Sequence, residues 1–221
     1  MKRLWLIYLF FTVSAFADSP ITSTDIYKSY LDISAVNNAK ESGVLNDYLA
    51  EQLLSDQVTI DVKVAIINAL SWDFDGKNNA EIFKSYLLEQ YKTEKFEMSY
   101  LSDHELLCLG YLTVMDDYFH PNEALPYFSQ ITDELNTSYT SSLIHALVKA
   151  QAFLGQYEEW CKVWTIVDAV NNDNSLTMDM RLSTIIDVME YIGPYEEYCK
   201  EVPPPKEKIY KDEKKFDGIG I

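Results

Sequence analysis

The sequence predicts an all-α fold of antiparallel helical hairpins stacked as a short array, on three observations. Helix breakers are scarce, with seven Gly and seven Pro in 221 residues, and straight-chain helix formers abound. Apolar residues recur at helical spacing along most of the chain, and no stretch reads as a strand. The motif Gly155-Gln-Tyr-Glu-Glu-Trp-Cys-Lys162 returns 38 residues later as Gly193-Pro-Tyr-Glu-Glu-Tyr-Cys-Lys200, identical at six of eight positions. Repetition at that spacing marks stacked helical hairpins, which bury their faces against neighbours and present an extended surface to partners.

Each element has a local reason. Ser23, Thr24 and Asp25 cap a first helix through about Val36, with Ile26, Tyr30 and Ile33 on one face. Gly43 precedes a second helix carrying Leu45, Tyr48, Leu49, Leu53 and Leu54. Thr59 opens a third, where Ile60, Val64, Ile67 and Leu70 recur, and the chain turns near Gly76. Asn79 starts a fourth with Ile82, Phe83, Tyr86, Leu87 and Tyr91. Ser102 and Glu105 form a Ser-x-x-Glu capping box ahead of the apolar run from Leu106. Pro121 suits the first turn of a sixth helix to about Leu135, with Pro126 awkward inside it. Helices over 140–154, 157–170 and 176–192 complete the set, and the short connections imply antiparallel neighbours.

The residues around the repeat carry a resemblance. Ala150-Gln-Ala-Phe-Leu-Gly-Gln-Tyr-Glu-Glu159 looks like the junction between the two helices of a tetratricopeptide repeat, with Trp164 and Val167 at that family's packing positions on the second helix. An earlier copy runs from Leu109-Gly110 to Ala124 and Phe128 if the turn is two residues longer. The resemblance covers about residues 104–200 and implies a protein- or peptide-binding helical array. The chain departs from the pattern at Trp160 and Tyr198, where the family prefers Ala, at Val148, and in its longer 38-residue offset. The expected organisation is irregular hairpins over 18–100, equally compatible with HEAT-like units, followed by tetratricopeptide-like units over 101–200.

The two ends read differently. Lys2 and Arg3, the apolar run Leu4–Phe11 and the small-x-small site Ala15-Phe-Ala17 form a secretory signal peptide over 1–17, cleaved after Ala17. Export to a bacterial periplasm as a soluble protein is the expectation, because no later segment reaches the ~20 apolar residues that span a bilayer. Residues 201–221 contain Pro203-Pro-Pro205 and a Lys-rich run, expected to be mobile or to dock on the acidic body by charge. Residues 18–199 hold 30 acidic and 10 basic side chains. A body so acidic repels nucleic acid and anionic lipid and attracts cationic proteins or peptides. Solubility alone is the competing reason for such a surface.

Little in the sequence carries chemistry. His104, His120 and His145 are scattered, and there is no His-Glu-x-x-His, Gly-x-Ser-x-Gly or phosphate-loop motif. Glu158/Glu159 and Glu196/Glu197 are adjacent pairs whose side chains diverge by about 100° on a helix, so neither pair makes facing carboxylates. The acidic loop Asp73-Phe-Asp-Gly76 fails the EF-hand spacing, since Ile82 falls where the bidentate Glu belongs. No cofactor and no metal are expected. Cys108, within Leu106-Leu-Cys-Leu109, reads as a buried inert thiol. Cys161 and Cys199 are repeat-equivalent, which makes them a candidate disulfide. Equivalent positions on helices ~8–10 Å apart lie too far for Cα atoms that must come within ~7 Å, unless the last unit docks irregularly.

The function expected is therefore non-catalytic protein–protein interaction in the periplasm, with a cationic protein or peptide as partner. Tyr157, Glu158, Glu159 and Asp116 are the surface candidates for contact. The alternatives are an immunity protein that neutralises a basic periplasmic toxin, and a small periplasmic hydrolase with no recognisable nucleophile.

Overall fold

The computed structural model describes residues 19–132 and 135–200, and every described regular element is helical. The expected signal peptide over 1–17 and the Pro/Lys-rich tail over 201–221 lie outside the described residues. A 3₁₀ turn, Ile26–Tyr30, leads into α1 (Ser34–Ser42), α2 (Asp47–Leu54), α3 (Ile60–Leu70) and α4 (Asn79–Tyr91). Then come α5 (Asp103–Asp116), the short α6 (Leu125–Phe128), α7 (Tyr139–Gln151), α8 (Trp160–Asn171) and α9 (Leu182–Ile192). Further 3₁₀ turns occupy Met98–Tyr100, Pro121–Glu123, Tyr157–Glu159 and Gly193–Cys199.

The centre of the molecule is α3, packed against α1, α5 and the 26–30 turn. All its residues from Lys63 to Leu70 are buried, as a helix apolar on every side must be. The buried Lys63 keeps a polar neighbour, with its ammonium 3.3 Å from Nδ1 of His104. The capping box expected at the start of α5 forms in full: Ser102 Oγ accepts from the Glu105 N–H, and Glu105 accepts from the Ser102 N–H at 2.8 Å. Because Glu105 is itself buried, it also accepts from Tyr91 Oη at 2.8 Å, which ties the end of α4 to the start of α5. At Gly110 on α5 a Cβ would meet Phe128 Cε2 at 2.8 Å, so only glycine lets α6 pack this closely.

Three expected helices are shorter than the local pattern suggests, two because tertiary partners take the backbone groups and one because of a proline. The first does not start at Asp25. Asn68 Oδ1 accepts from the Tyr27 N–H, and Asn68 Nδ2 donates to Thr24 O, which holds 26–30 as a 3₁₀ turn on α3. The helix expected over 121–135 contracts to a 3₁₀ turn and the single turn of α6, since Pro126 has no N–H to extend it backwards. The helix expected from Leu176 starts at Leu182, because the preceding residues cap α7. There Asp179 accepts from Ser138 Oγ at 2.6 Å and from the Thr140 N–H at 2.8 Å, and Thr177 O accepts from the Tyr139 N–H at 3.0 Å.

The front and back of the chain meet. Arg181, the residue before α9, donates to both carboxylate oxygens of Asp32 and to Ser29 O, while its guanidinium lies 4.4 Å from the Tyr30 ring centroid. Ser19 Oγ donates to Gln151 Oε1 at the end of α7. One cluster of buried apolar residues consequently runs from Ile21 to Tyr195. Among the described residues no helix is long and apolar enough to cross a membrane.

Candidate partner-binding site

The site is built by the two copies of the repeated motif, which meet face to face. In the first copy the chain leaves α7, makes the 3₁₀ turn Tyr157–Glu159 and enters α8 at Trp160. The second copy follows α9 without a break as the 3₁₀ segment Gly193–Cys199, packed across α8. A 3₁₀ continuation of α9 thus docks on α8 where a repeat-equivalent α-helix was expected, and it brings the two cysteines within bridging reach. Cys161 and Cys199 are disulfide-bonded with Cα atoms 4.6 Å apart.

The bridge is flanked on both sides by aromatic rings. Trp160 precedes Cys161 and Tyr198 precedes Cys199, and their ring centroids lie 4.9 Å apart at 82°. Tyr195 meets Trp160 at 5.8 Å and 73°, Tyr157 lies 5.3 Å from Tyr198, and Tyr191 lies 6.4 Å from Tyr195. The Trp160 indole N–H donates to Leu154 O at 2.9 Å, which fixes the ring's orientation. These rings enclose an open cavity of about 310 Å³ lined by Trp160, Glu190, Tyr191, Pro194, Tyr195 and Tyr198. Glu190, one of the lining residues, is exposed. On α9, Leu182, Ile186 and Glu190 follow one another at intervals of four residues, hence on one face about 6 Å apart per step. Leu182 is 69% and Ile186 48% exposed, so an apolar ridge leads along the surface to the cavity.

Of the residues expected to contact a partner, none lines the cavity; Tyr157 touches two of its rings, and Glu158 and Glu159 follow it in the same turn. Tyr157 is 57% exposed and belongs to the ring cluster. Glu158 is exposed beside it, whereas Glu159 is half-buried and paired with Lys162, whose ammonium also sits 4.7 Å from the Phe153 ring centroid. Asp116 corrects the expectation. It is 7% exposed at the end of α5, where its Oδ2 accepts from the Ala80 N–H at 2.7 Å at the start of α4. Burial raises its pKa, and the hydrogen bonds from Ala80 and Asn79 pull it back down. Asp116 is a buried tertiary cap for α4 and not a surface acid. None of the six lining residues, Trp160, Glu190, Tyr191, Pro194, Tyr195 and Tyr198, was among the residues expected to contact a partner. Tyr195 stood inside the repeated motif and could have been found there. Glu190 and Tyr191 carried no local signal.

A second aromatic group lies elsewhere. Phe74 stacks edge-on to Phe119, Phe119 touches Tyr118, and Tyr118 meets Trp72 at 5.0 Å. The adjoining cavity, about 370 Å³, is walled in part by Ser19, the first described residue. Titratable groups outside these patches are dispersed. His145 stacks on Phe128, and burial lowers its pKa to about 4. His120 is held by Asp117 Oδ2 at 2.7 Å, which raises its pKa. The Cys108 thiol is buried and pushed up to about 12 by desolvation, as suits an inert packing residue. Among the described residues no three His, Cys, Asp or Glu side chains gather as a metal site.

Fold and site together define a helical protein with a disulfide-backed aromatic cavity where α8, α9 and the 193–199 segment meet. In comparisons with protein-family models, curated proteins and solved structures, the chain matches none of them.

Proposed function

We propose that this chain is an exported, non-catalytic interaction module that binds a cationic protein or peptide in the periplasm. The observation that carries the reading is the aromatic cavity at the Cys161–Cys199 bridge, with Glu190 in its wall and an exposed apolar ridge leading to it. Aromatic anchors in a concave, partly apolar site are the usual energetic centre of a protein interface. The formal charge of −17 supports a basic partner through steering and complementarity. The disulfide supports an oxidising compartment, in keeping with the signal-like first seventeen residues. In this reading α7 and α8, joined by the Ala150–Glu159 junction, are a tetratricopeptide-like hairpin whose usual stacking partner is replaced by the 193–199 segment.

The test is binding of the mature chain, residues 18–221, to matched Lys-rich and Glu-rich peptides at low and moderate salt. Basic peptides are expected to bind, with association slowing as salt rises. The triple variant Glu158→Lys, Glu159→Lys, Glu190→Lys is expected to weaken that binding on the order of tenfold. Equal binding of the acidic peptides, or no binding of the basic ones at low salt, sinks the reading.

A further inference from the structure

We propose that the cavity bounded by Trp160, Glu190, Tyr191, Pro194, Tyr195 and Tyr198 is an aromatic box for an organic ammonium group, the head of a lysine or methyl-lysine side chain on the partner. The proposal rests on the interaction reading above and specifies the chemistry of its anchor.

Geometry comes first. Trp160 stands near perpendicular to both Tyr195 and Tyr198, at 73° and 82°, so the rings meet as the walls of a corner. Tyr191 continues the wall beyond Tyr195. A cation within about 6 Å of several ring centroids is attracted by each ring's quadrupole, the more strongly the less water remains. An apolar side chain gains area burial from the same rings but nothing from the quadrupoles.

Charge points the same way. Glu190 is the acidic residue among those that line the cavity, on a body with 30 acidic against 10 basic side chains over residues 18–199. An anion entering this cavity meets both the ring faces and that field as repulsion. An ammonium meets both as attraction. A volume of about 310 Å³ falls at the small end of ligand cavities, which suits one side-chain head and not a large ligand.

The box is also held in shape before anything binds. Its walls belong to α8, to the end of α9 and to the 193–199 segment, and the Cys161–Cys199 bridge joins the first and last of these at residues adjacent to Trp160 and Tyr198. The Trp160 N–H bond to Leu154 O keeps the indole from swinging into the cavity. Such preorganisation lowers the ordering cost of binding. The ridge of Leu182 and Ile186 ends at Glu190, so a partner peptide that seats its ammonium in the box can lay apolar side chains along α9.

The experiment titrates the disulfide-intact mature chain with choline and with its neutral isostere, in which a tert-butyl group replaces the trimethylammonium, following the Trp160 indole resonance by NMR. The expected result is saturable binding of choline, on the order of tenfold tighter than the isostere, which corresponds to about 1.4 kcal/mol. Glu190→Gln, an exposed substitution that leaves the fold intact, is expected to weaken choline about threefold and leave the isostere unchanged. Tyr191→Leu is expected to weaken choline more than the isostere. Equal binding of the two probes, or no shift of Trp160 with choline, overturns the ammonium box. If basic peptides still bind in that case, the interaction reading stands and only the box falls. If basic peptides also fail, both fall.

Discussion

The segments Gly155–Lys162 and Gly193–Lys200 share six residues of eight and adopt different structures. The first is an entry: a turn, then a helix that runs to Asn171. The second is an ending, a 3₁₀ extension of α9. Their equivalent tyrosines show the contrast, with Tyr157 57% exposed and Tyr195 5%. The cause lies in the flanks. After the first copy, Val163 and Val167 supply a buried seam at helical spacing, and α8 packs on α7 through it. After the second copy comes Glu201-Val-Pro-Pro-Pro205, a sequence that disfavours helix at and before each proline. Pro194 stands where the first copy has Gln156, and it accepts the helical φ that follows from α9. The motif sets which side chains are present, and the neighbouring residues set what the backbone does with them. In place of two stacked repeats, the molecule has two copies that close on each other around one disulfide.

That contrast can be broken most severely at the bridge. Replacing Cys161 and Cys199 together by Ala opens a loop of 38 residues and is expected to cost about 2–4 kcal/mol in denaturant unfolding. It should also abolish Trp160 shifts with choline, because the second wall is released.

The next test compares the equivalent tyrosines. Tyr195→Ala is expected to destabilise by about 3 kcal/mol, and Tyr157→Ala by less than about 1 kcal/mol, in the same unfolding assay. Equal costs would mean that the copies are structurally equivalent after all.

A smaller effect is expected from exchanging the residues that differ. Gln156 has φ −130° and its N–H donates to Phe153 O, so Gln156→Pro is expected to cost about 1–2 kcal/mol. Pro194→Gln removes a residue already in a compatible conformation and is expected to cost about 0.4–1 kcal/mol. The asymmetry between the two exchanges is the quantity to measure.

A pH probe acts on α7, the helix behind the first copy only. Burial lowers His145 to about 4 in the folded chain, while the unfolded chain titrates near the ordinary 6.5. Between those values the unfolded state binds more protons, so this contribution is complete above 6.5 and is lost as pH falls toward 4. Thermal melts from pH 7 to pH 5 should show the decline, and His145→Phe should flatten it.

How much could be read beforehand depended on the range of the interaction involved. The Ser102–Glu105 capping box, the start of α3 after Thr59 and the start of α4 at Asn79 were legible because their determinants lie within about four residues. The shortened helices were not. Nothing near Tyr27 shows that Asn68 will take its N–H, and nothing near Leu176 shows that Asp179 will be drawn to α7. Asp116 looked like a surface acid because its partner, the Ala80 N–H, lies 36 residues away.

The sequence by itself determined the all-α class, through few breakers and a helical apolar period, together with the acidic balance and the residues the two motif copies bring. Tertiary structure alone decided that the copies face each other, that Cys161 reaches Cys199, and that Glu190 and Tyr191 complete a cavity with Trp160. Helical periodicity is a property of neighbours along the chain, whereas a cavity wall is assembled from segments whose approach is set by the packing of everything between them.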